Sequence, residues 1–148
     1  MNTLSFITSL GWITVSEEKN SITSVKFGKK RNKGKNKILV KSKIQINEFI
    51  KGKRKKFKLK ICIRGTTLQK KIWNQLNKID YGSTKSYGEI AKLLNTSPRY
   101  VGNVCGQNNH LILIPCHRVI RSDGSLGGFS SLGGIKLKNK LLKLEKSR

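Results

Sequence analysis

The sequence has few acidic residues: 7 Asp and Glu stand against 32 Lys and Arg in 148 residues, for a net charge of +25. A surplus this large favours a polyanionic partner such as nucleic acid. Half of the basic residues, 16 of 32, fall between Lys26 and Lys60. This segment is either a phosphate-facing surface or a solvated lobe that reflects a codon bias toward Lys, Asn and Ile. Composition leaves both interpretations open.

Cysteine and histidine are also scarce, with 3 and 2 residues. Cys62, Cys105 and Cys116 lie in unrelated contexts without a CxxC motif, which argues against a zinc site or a disulfide framework. We therefore expect no metal and no cofactor. No apolar run approaches the length of a membrane span, and the N-terminal segment lacks the basic region and cleavage site of a secretory signal. These absences predict a cytoplasmic protein, where a reducing environment keeps thiols free.

The N-terminal part predicts a small sheet with one helix. Alternating patterns predict strands over residues 11–16 and 21–27, and the segment 29–37, which has no apolar residue, predicts a solvated loop. Apolar spacing predicts a helix over residues 38–50. Residues 52–63, GKRKKFKLKICI, then predict a further alternating strand.

Helix-start signals become sharper in the second half of the chain. Thr66-x-x-Gln69 and Ser86-x-x-Glu89 are capping boxes, and the first helix is expected to end at residues 81–83. Pro98 suits the first position of a third helix, so that the last two helices read as a helix-turn-helix. Gly102 in the second of these helices favours pressing the backbone into a narrow groove over reading base edges.

The C-terminal residues 135–146 predict a basic amphipathic helix. The side chains expected to face the core from this helix and from the Ser86 helix are Ile90, Leu93, Leu94, Ile135, Leu137, Leu141, Leu142 and Leu144.

Cys116 follows a branched apolar run, residues 112–114, which predicts the end of a buried strand. Pro115 stops regular pairing there. The neighbouring His117 imidazole and the positive charge of Arg118 favour a reactive thiolate. Because adjacent side chains of an extended chain point to opposite faces, we expect His117 to act on the sulfur through a bridging water. The alternative is an inert buried cysteine.

The string IPCHRV at residues 114–119 resembles the active-site signature of the O6-alkylguanine-DNA alkyltransferases, which move an alkyl group from guanine O6 in DNA onto their own cysteine. GTTLQ at 65–69 and SYGEIA at 86–91 follow the family's order. The resemblance implies an α/β (α+β) fold with two domains. Residues 1–63 would form a small ribonuclease H-like domain of sheet and helix. Residues 64–148 would form a mainly helical domain that binds DNA and carries the PCHRV active-site turn.

The resemblance also implies roles for the residues of the reaction. Cys116 is the implied alkyl acceptor and His117 the water-mediated base. Glu145 is the implied acid that orients His117, with Asp123 as the alternative acid. Asn108 matches the asparagine that braces the active-site turn.

Substrate and DNA contacts are implied in the same way. Tyr87 matches the tyrosine that hydrogen-bonds the flipped guanine, and Arg99 matches the arginine that fills the hole left in the base stack. The other implied contacts are Ser97, Tyr100, Gly102, Arg118, Val119, Phe129, Ser130 and Ser131, with Leu132 a further candidate for the backbone donor to guanine O6.

The implied function is DNA repair by direct reversal. A monomeric, nucleoid-associated methyltransferase would bind double-stranded DNA in the minor groove and flip out an O6-alkylguanine or O4-alkylthymine. It would then transfer the alkyl group irreversibly to Cys116, once per molecule. One alternative is a catalytically silent lesion-binding or helix-turn-helix regulatory protein, which predicts no covalent change. Another is a cysteine hydrolase or acyltransferase, which predicts turnover and leaves the duplex-binding element unexplained.

Overall fold

The structure, a computed structural model, describes residues 1–128 and 134–146. Within these residues the chain forms a three-stranded antiparallel sheet, a two-stranded parallel pair and five α-helices, which confirms the expected mixed α/β class. Contacts divide it into two compact units, Met1–Ile63 with Asn109–Leu113 and Arg64–Asn108 with Ile114–Arg148. None of the helices in the described residues is long and apolar enough to cross a membrane.

The sheet of the first unit is a meander of β1 (Asn2–Thr8), β2 (Gly11–Glu18) and β3 (Ser21–Phe27). Lys19 and Asn20 have φ of 51° and 63°, the left-handed conformation that a two-residue hairpin turn requires. The predicted strands correspond to β2 and β3, whereas β1 was not predicted.

Helix α1 (Lys37–Ile50) begins where Asn36 accepts a hydrogen bond from the Ile38 amide and ends before Gly52, whose φ is 76°. This matches the predicted helix closely. α1 packs on the sheet, and the buried apolar side chains of the sheet and of α1 are Phe6, Ile13, Val15, Ile22, Val25, Ile38, Leu39, Ile46, Phe49 and Ile50.

The strand predicted over residues 52–63 is wrong. Only Ile61 forms a bridge, with Ile22, through the hydrogen bonds Ile22 N to Lys60 O and Cys62 N to Ile22 O, both 2.8 Å. An alternating pattern forms a strand only when a partner edge runs beside it, and here the β3 edge is also taken by residues 109–111. The Val25 amide donates to Asn109 O at 2.7 Å.

The second unit contains α2 (Thr67–Asn77), α3 (Tyr87–Leu93), α4 (Pro98–Gly106) and α5 (Gly134–Lys146). Both predicted capping boxes are present, and Pro98 opens α4. Helix α2 ends at Asn77, earlier than predicted, because the Lys78 amide turns back to Gln75 O.

Two side chains predicted to face the core are exposed, Leu93 at 61% and Ile135 at 54%. The buried faces of α3 and α5 are centred elsewhere, on Ile90 with Ala91 and on Leu141 respectively. At about 100° per residue, both exposed side chains fall outside these faces. The buried apolar side chains of this unit include Ile72, Trp73, Leu76, Ile79, Ile90, Val101, Val104, Ile114, Val119, Leu137, Leu141 and Leu142.

Residues 112–114 are buried but form a turn instead of the predicted strand end. Ile112 has a φ of 71°, a conformation that no strand contains. A 3-10 helix, Cys116–Arg118, follows and leads into β5 (Val119–Ile120), which pairs in parallel with β4 (Lys85–Ser86). This pairing brings the start of α3 beside the chain that leaves Cys116.

Candidate active site

Cys116 is held at the start of the 3-10 helix and is 3% exposed. Its amide donates to Ile114 O at 2.8 Å. The Asn108 side-chain amide donates to the same carbonyl at 2.8 Å and also to the Cys116 sulfur. Asn108 therefore holds the turn through the Ile114 carbonyl and also contacts the thiol, while its role in a reaction stays a prediction.

Burial raises the pKa of the Cys116 thiol to about 11, although the Asn108 hydrogen bond and the charge of Lys138 act in the opposite direction. The resting sulfur is therefore a neutral thiol at pH 7. A thiol of this kind becomes a nucleophile only when a nearby base takes its proton.

His117 lies next in the chain and is fully buried. Its Nε2 is 2.6 Å from Oε2 of Glu145. Because a carboxylate only accepts hydrogen bonds, Nε2 carries the proton, and Nδ1 of the neutral ring is an acceptor. Among the described residues, Nδ1 has no hydrogen-bond partner. Glu145 thus orients His117 so that its basic nitrogen is unoccupied.

Arg118 completes a buried charge cluster with Glu145. Its Nε donates to Oε1 at 2.8 Å, its Nη2 to Oε2 at 2.9 Å and its Nη1 to Ile79 O at 2.8 Å. The Gly82 amide adds a donor to Glu145 at 3.1 Å. Arg118 is only 7% exposed and its guanidinium holds the carboxylate, while its expected contact with DNA or substrate stays a prediction.

The protonation states in this cluster follow from its contacts. Burial acts to raise the pKa of Glu145, but hydrogen bonds from His117 and Arg118 outweigh it and lower the pKa from 4.5 to about 2. Burial lowers the pKa of His117 below its usual 6.5, against the opposing pull of Glu145. Glu145 is therefore ionised and His117 neutral at pH 7, the combination that a general base requires.

A cavity of about 520 Å³ opens onto Cys116. Within the residues that the structure describes, and apart from Cys116, the walls of this cavity are formed by α3, α4 and the segment that follows β5. The lining residues are Tyr87, Pro98, Arg99, Gly102, Cys105, Gly106, Cys116, Arg121, Gly127 and Gly128. Its volume is in the range of sites that hold a small organic group.

Tyr87 forms one wall and is packed closely by glycine. At Gly127, φ is 72° and an added Cβ would lie 3.0 Å from the Tyr87 ring, so a larger side chain would displace the ring. On the α4 side, a Cβ added at Gly102 would lie 3.8 Å from the ring, which is an ordinary van der Waals distance. The cavity wall is therefore less tightly packed at Gly102 than at Gly127.

Lys138 on α5 belongs to the candidate site through its contact with Tyr87, although nothing in the sequence predicts it. It is 0% exposed, and its Nζ donates to the Tyr87 hydroxyl at 3.2 Å and to the carbonyls of Leu126 at 2.5 Å and Gly128 at 3.3 Å. Burial lowers its pKa, whereas the Cys116 and Cys105 thiols favour its charged form. It would have been recognisable only from its place on the same helix face as Glu145.

Tyr87 accepts the hydrogen bond from Lys138, and burial raises the pKa of its phenol to about 12. Its oxygen is thus occupied as an acceptor while its own proton stays available to a ligand in the cavity.

The structure brings together seven of the predicted site residues. Cys116, Tyr87, Arg99 and Gly102 line the cavity, and Asn108, His117 and Glu145 lie directly behind Cys116. Ser97 caps α4 by accepting from the Tyr100 amide at 3.1 Å, and the predicted DNA contacts of these two residues stay predictions.

Other predicted residues are placed differently. Val119 is 0% exposed, and its predicted contact with substrate or DNA stays a prediction. Asp123 is exposed and its carboxylate accepts from Ser125, which leaves Glu145 as the acid on His117. Phe129, Ser130, Ser131 and Leu132 lie outside the described residues.

Comparison with known proteins identifies relatives of this chain. Residues 67–147 match the model of a family described as 6-O-methylguanine DNA methyltransferase, DNA binding domain. The inducible methylated-DNA--protein-cysteine methyltransferase of Bacillus subtilis is 45% identical over 105 residues, 70% of this chain and 58% of that protein. The match thus spans less than two thirds of that relative. The Sulfolobus acidocaldarius methylated-DNA--protein-cysteine methyltransferase is 37% identical over 138 residues, 92% of this chain and 87% of that protein.

Solved structures show the same likeness across nearly the whole chain. Mycobacterium tuberculosis OGT in complex with DNA has a TM-score of 0.89 at 31% identity, covering 99% of this chain and 94% of that one. The O6-methylguanine-DNA methyltransferase of Pyrococcus kodakaraensis has a TM-score of 0.63 at 26% identity, with 97% of each chain covered.

Proposed function

The chain belongs to the methylated-DNA--protein-cysteine methyltransferase family, and from this premise we propose that it transfers alkyl groups from O6 of guanine in duplex DNA to the sulfur of Cys116. The observation that carries the proposal is the 2.6 Å hydrogen bond between Glu145 and His117, directly behind a cysteine that opens onto a cavity. O4-alkylthymine is a second substrate in the same proposal.

The reaction needs a thiolate and a proton for the departing base. His117 Nδ1 takes the Cys116 proton through a water molecule, because side chains of consecutive residues in a 3-10 helix point in different directions. The sulfur attacks the alkyl carbon, a C–S bond forms, and the bond from that carbon to O6 breaks. The electron pair stays on the guanine, which takes up one proton and so balances the proton that His117 removed from the thiol. Tyr87, whose oxygen is held by Lys138, donates the hydrogen bond that favours this departure.

The product is a thioether on Cys116, a bond that an imidazole and a carboxylate do not hydrolyse at neutral pH. Each molecule therefore reacts once, and the reaction is stoichiometric. This distinguishes the proposal from a cysteine hydrolase, in which water regenerates the thiol.

DNA binding is proposed for the second unit. Helices α3 and α4 pack together across residues 94–97, and we assign them as a helix-turn-helix that enters the minor groove. Arg99 is exposed in the first turn of α4 and is among the residues that line the cavity. In this proposal the flipped base enters the cavity, and the Arg99 side chain enters the duplex and fills the place that the base has left in the stack. OGT of M. tuberculosis has been crystallised in complex with DNA, which supports duplex DNA as the partner.

The remaining assignments are part of the same proposal. Residues 1–63 form the ribonuclease H-like basic domain and residues 64–148 the DNA-binding and transfer domain. The protein acts as a monomer on O6-alkylguanine in the nucleoid, within a cytoplasm that keeps Cys116 reduced.

The test is to incubate the protein with a duplex that carries one O6-methylguanine and to digest the product with trypsin. We expect one added methyl group on the peptide 100–118, and fragmentation should place it on Cys116. A Cys116→Ala variant should still bind the duplex and accept nothing. Protein of unaltered mass beside intact lesion would overturn the proposal, and would instead favour the silent regulator; regenerated protein would favour the hydrolase.

A further inference from the structure

A second thiol, Cys105, lines the same cavity as Cys116. Cys105 lies in the last turn of α4 and is 8% exposed. It shares the cavity-facing side of that helix with Gly102 and Gly106, three positions before it and one after it. Because glycine has no side chain, neither neighbour places one between Cys105 and the cavity.

Asn108 joins the two cysteines. Its backbone amide donates to Cys105 O at 3.2 Å, while its side-chain amide donates to the Cys116 sulfur and to Ile114 O. One residue thus touches the chain at both thiols, and fixes the end of α4 against the start of the 3-10 helix. Cys105 and Cys116 both act to raise the pKa of Tyr87, and Cys116 acts to raise the pKa of Cys105, as expected for two thiols that line one cavity.

We propose that Cys105 and Cys116 form a dithiol site that binds trivalent arsenicals with two exchangeable oxygen ligands. Arsenic(III) bonds strongly to sulfur, and two thiols on one rigid frame bind it as a chelate, because the second bond forms without further loss of translational freedom. Binding occupies the sulfur that the proposed alkyl transfer uses.

The bonding step is a condensation without redox change. With an arylarsine oxide, two As–S bonds form and the arsenic–oxygen bond is replaced. Both thiol protons leave with that oxygen as one water molecule, and arsenic stays trivalent. Neutral thiols suffice for this exchange, so the burial that raises the pKa of Cys105 to about 12 and that of Cys116 to about 11 is no obstacle.

The experiment uses phenylarsine oxide and the whole protein, without DNA. Intact mass should show one phenylarsenic per chain, retained in excess 2-mercaptoethanol and released by 2,3-dimercaptopropanol. Trypsin cleaves after Arg99 and Arg118, so both cysteines lie on one peptide, residues 100–118. A bridged adduct on that peptide is lighter by one water than an adduct on a single thiol.

Cys105→Ser and Cys116→Ser should each lose the retained adduct, while Cys62→Ser, which changes a thiol of the first unit, should keep it. Retention in Cys105→Ser, or no retained adduct on the wild-type chain, would overturn the proposal. If Cys105→Ser fails to fold, the wild-type peptide still decides, since a single-thiol mass excludes the bridge. Methyl acceptance from an O6-methylguanine duplex is measured separately, and should fall with occupancy and return with the dithiol. Failure of alkyl transfer itself would leave the mass result standing.

Discussion

At the scale of single residues, the site depends on charged side chains that are buried from solvent. Glu145 accepts from His117, from Arg118 and from the Gly82 amide, and Lys138 is buried against Tyr87. Burying a charge is unfavourable unless its hydrogen bonds are satisfied. Each of these groups therefore has a measurable consequence for stability or for rate.

The first consequence concerns Glu145 and pH. Its pKa is lowered from 4.5 to about 2, so its contribution to stability is fully present above pH 4.5 and is lost as the pH falls toward 2. A pKa shift of this size corresponds to about 3 kcal/mol in the free energy of unfolding. Urea unfolding of the wild type should show this loss between pH 5 and pH 2, and Glu145→Gln should lack that component.

At pH 7, Glu145→Gln should also lower the free energy of unfolding by about 3–5 kcal/mol, because it leaves the Arg118 charge buried without its counter-ion. Glu48→Gln is the matched control: Glu48 pairs with Arg54 at the surface, and its loss should change stability by less than about 1 kcal/mol. Equal changes in the free energy of unfolding for the two substitutions would show that the buried cluster stabilises the protein no more than a surface ion pair does.

The second consequence concerns Lys138, a positioning residue that acts through Tyr87. Lys138→Met removes the donor to Tyr87 and to the carbonyls of Leu126 and Gly128. We expect alkyl transfer to slow by a factor of about 100 or more with little change in DNA affinity. Single-turnover rates and binding titrations measure the two quantities.

Stability separates this role from a structural one, because loss of the donor to the carbonyls of Leu126 and Gly128 should lower the free energy of unfolding by only about 1–3 kcal/mol. Lys138→Met should therefore still be folded in the absence of urea, where its rate is measured. Lys136→Met, at an exposed position of α5, should match the wild type in rate. A variant that is slow only because it is unstable would contradict the assignment.

At the scale of elements, the helices were predictable from the sequence and the connections were not. The capping boxes at Thr66 and Ser86 and the proline at Pro98 are local signals, complete within four residues, and all three helices begin there. The turn at residues 112–114 and the irregular chain at 52–63 depend on distant partners, and both were predicted as strands. An apolar or alternating run shows that residues are buried, but not which edge they pair with.

The same limit explains the outcome at the site. Cys116, His117 and Asn108 lie within one short stretch and were recognised together. Lys138 is not predictable because a lysine in an amphipathic helix is ordinarily solvated. Nothing in the sequence shows that the Arg118 guanidinium pairs with a carboxylate 27 residues later.

One prediction belongs to α4. Arg99→Ala should slow repair of a duplex more than it slows reaction with free O6-methylguanine, since only the duplex needs a side chain to fill the vacated stack. Rates for both substrates give the ratio. Lys71→Ala, at an exposed position of α2, should leave that ratio unchanged. Equal losses on both substrates would assign Arg99 to the cavity instead of the stack.

At the scale of the whole molecule, the dominant property is its net charge of +25. Binding to DNA should weaken linearly in log K against log salt, because each neutralised phosphate releases counter-ions. A flat response would remove the basic surface from the explanation of binding.

The lysines of the first unit provide a control within the same experiment. Lys53, Lys56 and Lys58 are exposed, and replacing all three by alanine should reduce the salt slope by about 1 for each phosphate contact that is lost. An unchanged slope would mean that these lysines are only solvated and would favour codon bias as the origin of their abundance.

Helix α5 carries both Lys138 and Glu145, which are separated by seven positions (145 − 138). Two helical turns take about seven residues, so both side chains emerge on one face. Inserting or deleting a single residue between them would rotate one by about 100°, and no rotamer change would restore both sets of hydrogen bonds. The identities of the residues between Lys138 and Glu145 can vary as far as packing allows. The number of residues between them has to stay constant, because both sets of hydrogen bonds depend on the helical register.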